Sequence, residues 1–244
     1  LEGCFLRNKK IILPSVSWIT TISPFIQLGY EVILCDTDKD NLGLDLNNLK
    51  SLIMKHKPSA ICLCHVLGHA NHMIEIIKLC KKYKILMLED TCESLGTEFN
   101  KKKLGTFGLA SSFSFYYGHH ISTIEGGMVS TNNKKLYNIL VSIRSHGWLR
   151  DNENNFQNNL YRKYKIKNFS KLYSFFYSGF NIRSTDLNAF LGINQLRLID
   201  KIVKKRENNF YYYKKNLSQF WSQSSKFQKI SSFAFGTIDQ NRNE

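Results

Sequence analysis

Short runs of Ile, Leu and Val that alternate with segments of helical period restrict the fold of this chain more than any other feature. The runs are Lys10 to Pro14, Glu31 to Asp36, Ser59 to Leu67 and Ile85 to Glu89, and each is a predicted strand. Three predicted helices lie between them. They are Ile19 to Leu28, closed by Gly29 as a C-terminal cap; Leu46 to Lys55, opened by Asp45 as an N-cap; and His72 to Lys82. Strands and helices in strict alternation are the signature of βα units stacked on a largely parallel sheet, which makes this an α/β chain.

Beyond Asp90 the pattern changes. Ser111 to Tyr117 and Gly127 to Thr131 are predicted strands joined by a segment with paired His and paired Gly, and Lys134 to Arg144 is a predicted helix, so the sheet is mixed on this side. Residues Asp151 to Ser170 are Asn-rich, polar and aromatic, and are predicted as a long excursion off the core. From Asp186 to Leu217 apolar residues recur at helical spacing, among them Leu187, Phe190, Leu191, Ile199 and Ile202, which predicts one helix long enough to link two domains. The chain opens on Leu1, and its last residues from Ser222 to Glu244 lack a strong period; both ends read as those of a fragment.

Composition excludes several classes. With 43% hydrophobic and 13% aromatic residues in 244, the chain has the material for one good-sized core, and disorder is excluded. The formal charge of +15 comes mostly from lysine, 26 of 34 basic residues, spread along the chain among Asn and Ile. Scattered lysine predicts a solvated basic surface, so nucleic acid is not an expected partner. The six cysteines, at 4, 35, 62, 64, 80 and 92, show no zinc-ligand spacing, and no metal centre is expected. Cys62 and Cys64 alternate within an apolar run and are expected to pack on one strand face. Free thiols point to a cytoplasmic location. No apolar stretch reaches the roughly 18 residues of a membrane span, and no membrane insertion is expected.

Two groups of residues could carry chemistry. The strand ending Glu89-Asp90 brings two carboxylates to the sheet edge where open α/β folds place ligands. An aspartate there can keep the ring nitrogen of a pyridinium cofactor protonated, or it can cap the next turn; the pattern leaves both open. The second group runs from Ser112 to Gly127 and holds hydroxyls suited to phosphate, His119 and His120 suited to proton transfer, and Gly126-Gly127, which let backbone approach a ligand. The histidines can equally be structural.

These blocks, in order, resemble the DegT/DnrJ/StrS sugar aminotransferase family. The likeness is carried by Glu89 to Gly96, Leu104 to Gly108, Ser112 to Gly127 and Arg144-Ser145-His146-Gly147. Pro14 to Trp18 and Gln27 to Gly29 match earlier blocks, and Asn181-Ile182-Arg183 and Gln195-Leu196 later ones. The resemblance implies the large domain of a pyridoxal-phosphate-dependent transferase of the aspartate aminotransferase type, with a mixed, mostly parallel sheet, truncated at both ends. It implies a cofactor-binding domain over 1–184 that lacks its N-terminal part, a connecting helix over 185–217, and the start of a small domain or a tail over 218–244. It further implies that Asp90 pairs with the cofactor ring nitrogen and that Glu93, where most members have Gln, approaches the ring hydroxyl. Trp18 is implied to stack on the ring, Ser114 to bind the phosphate, Asn181 and Arg183 to contact the sugar nucleotide, and the chain to form a homodimer.

One departure redirects the reading. The family's Ser-Phe-x-x-x-Lys places the lysine that binds the cofactor covalently; counted from Ser114, that position is His119, and no lysine occurs between Lys103 and Lys134. The chain resembles a histidine-substituted branch of the family in which pyridoxamine phosphate is held without a covalent link. Such a member removes the C3 hydroxyl of a nucleotide-linked 4-keto-6-deoxyhexose, for deoxysugar and surface polysaccharide synthesis, with His119 moving the proton and L-glutamate restoring the amine. An iron–sulfur-assisted dehydrase would need gathered thiolates, and every cysteine here precedes His119. A plain sugar aminotransferase, using some other lysine, and a degenerate chain without activity are the alternatives.

Overall fold

The computed structural model describes residues 6–224 and 228–238; Cys4 and the end of the polar tail lie outside them. Contacts group the chain into two units, residues 1–130 with 188–244, and residues 131–187.

In chain order the elements are β1 (Lys10–Pro14), α1 (Ser23–Gln27), β2 (Glu31–Cys35), α2 (Leu46–His56), β3 (Ala60–Cys64), α3 (Met73–Tyr83), β4 (Leu86–Asp90), β5 (Glu98–Phe99), β6 (Lys102–Lys103), β7 (Ala110–Ser114), β8 (Gly127–Ser130), α4 (Lys134–Ile143), α5 (Asn154–Lys163), α6 (Asp186–Leu196), α7 (Ile199–Asn216) and β9 (Gln228–Lys229). In the first unit six strands form one sheet in the order β2-β1-β3-β4-β7-β8. All neighbours run parallel except β7 and β8. The mixed, mostly parallel sheet is therefore as expected. A small antiparallel sheet, β6-β5-β9, lies in the same unit.

The central strands β1 and β3 are largely apolar because both of their faces are covered. Ile12, Ile61, Leu63 and Met87 are buried with Leu49 and Ile53 of α2 and Met73 and Ile76 of α3. The intervening residues Ile11, Leu13, Ala60 and Cys62 form the opposite cluster, with Phe25 of α1 packed against it. Each such side chain contributes about 1.5–3 kcal/mol by leaving water. α2 begins where sequence chemistry places it, with the Asp45 carboxylate accepting from Asn48 N–H at 2.7 Å.

Three expectations about elements are corrected. The helix expected over Ile19 to Leu28 is a 3-10 turn at Ile19–Thr21 followed by α1, because Pro24 has no N–H and its ring would clash with the carbonyl four residues back. The single helix expected over Asp186 to Leu217 breaks between α6 and α7, where Leu198, at φ −101° and ψ 0°, turns its N–H to Gln195 O. The excursion expected over Asp151 to Ser170 contains α5, whose Phe156, Leu160 and Tyr161 share one partly buried face.

The second unit holds α4, α5 and a 3-10 turn at Asn168–Tyr173. Two bridges, Ser145 with Asn181 and Trp148 with Phe175, tie the segment after α4 to the segment after that turn. Gly147, at φ +83°, lies so close to the Tyr177 backbone that a Cβ would overlap it. Among the described residues no helix is long and apolar enough to cross a membrane.

Candidate active site

The site forms at the C-terminal ends of β4 and β7, where residues from separate strands meet because Asp90 pairs in register with Ser112. Asp90 is half-buried. Its Oδ2 accepts from the Thr21 hydroxyl at 2.8 Å, and its Oδ1 from Cys92 N–H at 3.2 Å and the Ser112 hydroxyl at 3.5 Å. No Lys, Arg or His pairs with it among the described residues. Thr21 is buried, and its N–H reaches Trp18 O at 3.0 Å, so the turn that follows β1 is fastened to the end of β4.

Glu89, on the opposite face of β4, has the contrary environment. It is fully buried, and its oxygens accept from the N–H groups of Gly105, Phe107 and Gly108 at 2.6–2.8 Å and from His65 Nε2 at 3.3 Å. Burial pushes its carboxyl up, and the hydrogen bonds from His65 and the backbone outweigh burial, so it stays below the ordinary carboxylate range. Asn71 Nδ2 donates to His65 Nδ1 at 3.3 Å, which makes Nε2 the protonated nitrogen. This network anchors the 105–108 loop beneath the site.

The adjacent histidines have opposite surroundings. His119 is half-buried, and its Nδ1 lies 2.8 Å from Cys92 O. A carbonyl only accepts, so Nδ1 carries the proton and Nε2 presents a lone pair. Among the described residues nothing hydrogen-bonds Nε2. His120 is buried, with Nε2 donating to Ser231 O at 3.0 Å and Nδ1 without a partner among the described residues. Burial drives its pKa down to about 4, against the smaller opposing effect of that hydrogen bond. Glu93 Oε2 accepts from Leu67 N–H at 2.6 Å, and burial pushes its carboxyl up. The Ser114 hydroxyl accepts weakly from Tyr116 N–H at 3.3 Å and opens the turn that leads to His119.

The sequence profile of the DegT/DnrJ/EryC1/StrS aminotransferase family matches residues 5–236. The chain belongs to this family. Among its relatives, the GDP-4-keto-6-deoxy-D-mannose 3-dehydratases of Yersinia pseudotuberculosis and Escherichia coli O55:H7 are 39% and 37% identical to it. The first aligns over 214 residues, 88% of this chain and 54% of that one; the second over 213 residues, 85% and 53%. The chain spans about half the length of the curated relatives it matches. The structure of the E. coli GDP-4-keto-6-deoxy-D-mannose-3-dehydratase with bound hydrated pyridoxal phosphate superposes with a TM-score of 0.88 at 31% identity, covering 100% of this chain and 63% of that one. The fold is therefore that of the pyridoxal-phosphate-dependent aminotransferase type.

The residues present fit the cofactor of a DegT/DnrJ/EryC1/StrS member. Asp90 is a half-buried carboxylate with hydroxyl and N–H partners and, among the described residues, no cation, which is an environment a protonated pyridine nitrogen would complete. Glu93, its carboxyl pushed up by burial, lies at the same edge with its Oε2 held by Leu67 N–H. Of the expected site residues, Asp90, Glu93, Ser114 and His119 are gathered at this edge. Trp18 lies one turn from Thr21, with its indole 74% exposed and without a ring contact among the described residues. Asn181 and Arg183 are exposed members of the second unit. Sequence reasoning missed Thr21, and it missed the Cys92 carbonyl that sets the His119 tautomer; a backbone acceptor leaves no mark in side-chain pattern.

Proposed function

We propose that this chain is the cofactor-holding part of an enzyme that removes the C3 hydroxyl of a nucleotide-linked 4-keto-6-deoxyhexose. GDP is the nucleotide favoured by the relatives at 37–39% identity. The observation that carries the reading is His119: an imidazole with Nδ1–H pinned and Nε2 free, in a stretch that contains no lysine.

Pyridoxamine phosphate, when bound, would supply an amine for the sugar's C4 ketone and a ring that accepts electrons; pyridoxal phosphate is the aldehyde form from which an amino donor restores it. Asp90, which no cation pairs with among the described residues, would keep the ring nitrogen protonated. Glu93 would approach the ring hydroxyl, Ser114 would hold the phosphate, and Trp18 would offer its exposed face to the ring. His119 accepts a proton from carbon at Nε2 and delivers it to the C3 hydroxyl, which departs as water. Asn181 and Arg183 are proposed to contact the sugar nucleotide. L-glutamate is the proposed amino donor; a related GDP-4-keto-6-deoxymannose-3-dehydratase structure, at 32% identity, holds a trapped geminal diamine of pyridoxal phosphate and glutamate.

The proposed division is the cofactor-binding part over 1–184, a connection over 185–217, and the start of a second domain from 218. A homodimer is supported by the exposed apolar residues Trp18, Ile19, Ile26 and Leu28 around the first helix, and the setting is cytoplasmic synthesis of surface polysaccharide. The test is incubation of the full-length protein with pyridoxamine phosphate, L-glutamate and a panel of 4-keto-6-deoxy sugar nucleotides, read by mass spectrometry. The expected product is lighter than the substrate by one oxygen. A product that gains an amine at C4 and keeps its C3 hydroxyl overturns the reading.

A further inference from the structure

A segment far along the chain is fastened over the two histidines. β9 pairs with β5, Glu98 beside Lys229. Next, Ser231 N–H donates to the Thr97 hydroxyl at 2.9 Å, and His120 Nε2–H to Ser231 O at 3.0 Å. Arg206 of α7 sends Nη1 to Ser232 O and Phe233 O at 3.0 and 3.1 Å, and Phe233 N–H reaches Leu67 O at 3.0 Å. Charge-assisted bonds of this kind are each stronger than neutral ones. Gly68, at φ +93°, makes room for the crossing: a Cβ there would stand 2.5 Å from Ser231 O.

The outcome of this fastening is the place of one ring. The Phe233 centroid lies 5.0 Å from that of His119, tilted 36°, and 6.3 Å from that of His120. Tyr116 meets His119 edge-on at 6.3 Å. With Nδ1 held by Cys92 O, the imidazole has one pinned edge and one covered face. A ring flip would put Cδ2 where Nδ1 meets Cys92 O and Cε1 where Nε2 stands, and a ring released from that carbonyl is free to carry its proton on Nε2 instead.

We propose that Ile230–Phe233 is a strap that holds the His119 imidazole in its working tautomer and plane, with Phe233, Arg206 and His120 as positioning residues. The proposal rests on the reading of His119 as the proton-transfer group. It gives the buried His120 a role distinct from its neighbour's: to fasten the strap and not to move protons.

The test uses full-length protein with 15N-labelled histidine, and His119→Asn identifies the His119 signals by their loss. Wild type is expected to show His119 as a single Nδ1–H tautomer. Phe233→Leu is expected to mix the tautomers and to lower kcat by about 10–100-fold with KM for the sugar nucleotide nearly unchanged. Phe233→Tyr keeps a ring in place and is expected to restore both. Arg206→Gln, at a half-buried position, is the second variant, expected to shift the tautomer in the same sense if Phe233→Leu fails to fold. A single unchanged tautomer in both foldable variants overturns the strap, whatever kcat does. Mixed tautomers with unchanged kcat support the strap and overturn the role given to His119.

Discussion

Glu89 and Asp90 are the same chemistry on consecutive residues, yet they have opposite uses, because a strand sends neighbours to opposite faces. Glu89 has three N–H donors and His65 and is held ionised as a structural anion; Asp90 has no cation partner among the described residues and stands at the sheet edge. The sequence showed the pair of carboxylates and left open whether Asp90 capped a turn. It caps the turn, with Oδ1 accepting from Cys92 N–H, and among the described residues no cation pairs with it, which leaves its charge for the proposed cofactor role. Asp90→Asn keeps the volume and removes the charge. Turnover by the full-length protein is therefore expected to fall about 10²-fold or more, with stability within about 1 kcal/mol of wild type. Steady-state kinetics alongside urea denaturation checks this; unchanged turnover would remove Asp90 from the mechanism.

At the scale of elements, what could be read from the sequence follows from how local the cause is. β1 to β4, α2 and α3 were legible because each is written in its own residues, as apolar runs, an Asp45 cap and helical spacing. α5 was hidden because its asparagines are poor helix formers, and three residues on one face outweigh them. The break at Leu198 has no Gly or Pro to announce it. β9 and the strap after it were the least legible: they lie in a polar tail, and their partners, Thr97, His120 and Leu67, are more than a hundred residues away in sequence. The site divides in the same way. Asp90, Glu93, Ser114 and His119 stand in contiguous blocks and were candidates from the sequence, whereas Thr21 and Phe233 meet them only through tertiary packing.

For the molecule as a whole, two buried histidines tie stability to pH. Burial lowers both His69 and His120 from 6.5 to about 4, while hydrogen bonds to Ser224 O and Ser231 O oppose this weakly. Unfolded, each takes a proton below pH 6.5; folded, it does not until about pH 4. Their stabilising effect is thus complete above pH 6.5 and is lost as pH falls toward 4, at about 1.4 kcal/mol per pH unit for each. Glu93, raised by burial, works in the opposite sense above pH 4.5. Urea midpoints from pH 7 to 4.5 are expected to fall, and to fall less steeply in His120→Gln; an equal slope in that variant would contradict the assignment. The central claim, that a histidine stands where a covalent cofactor anchor would be, is tested most directly by borohydride reduction of the full-length protein with pyridoxal phosphate, followed by peptide mass mapping. Wild type is expected to carry no stoichiometric pyridoxyl group on any lysine, and His119→Lys to carry one at position 119; a stoichiometric adduct on a native lysine of the wild type would contradict the account.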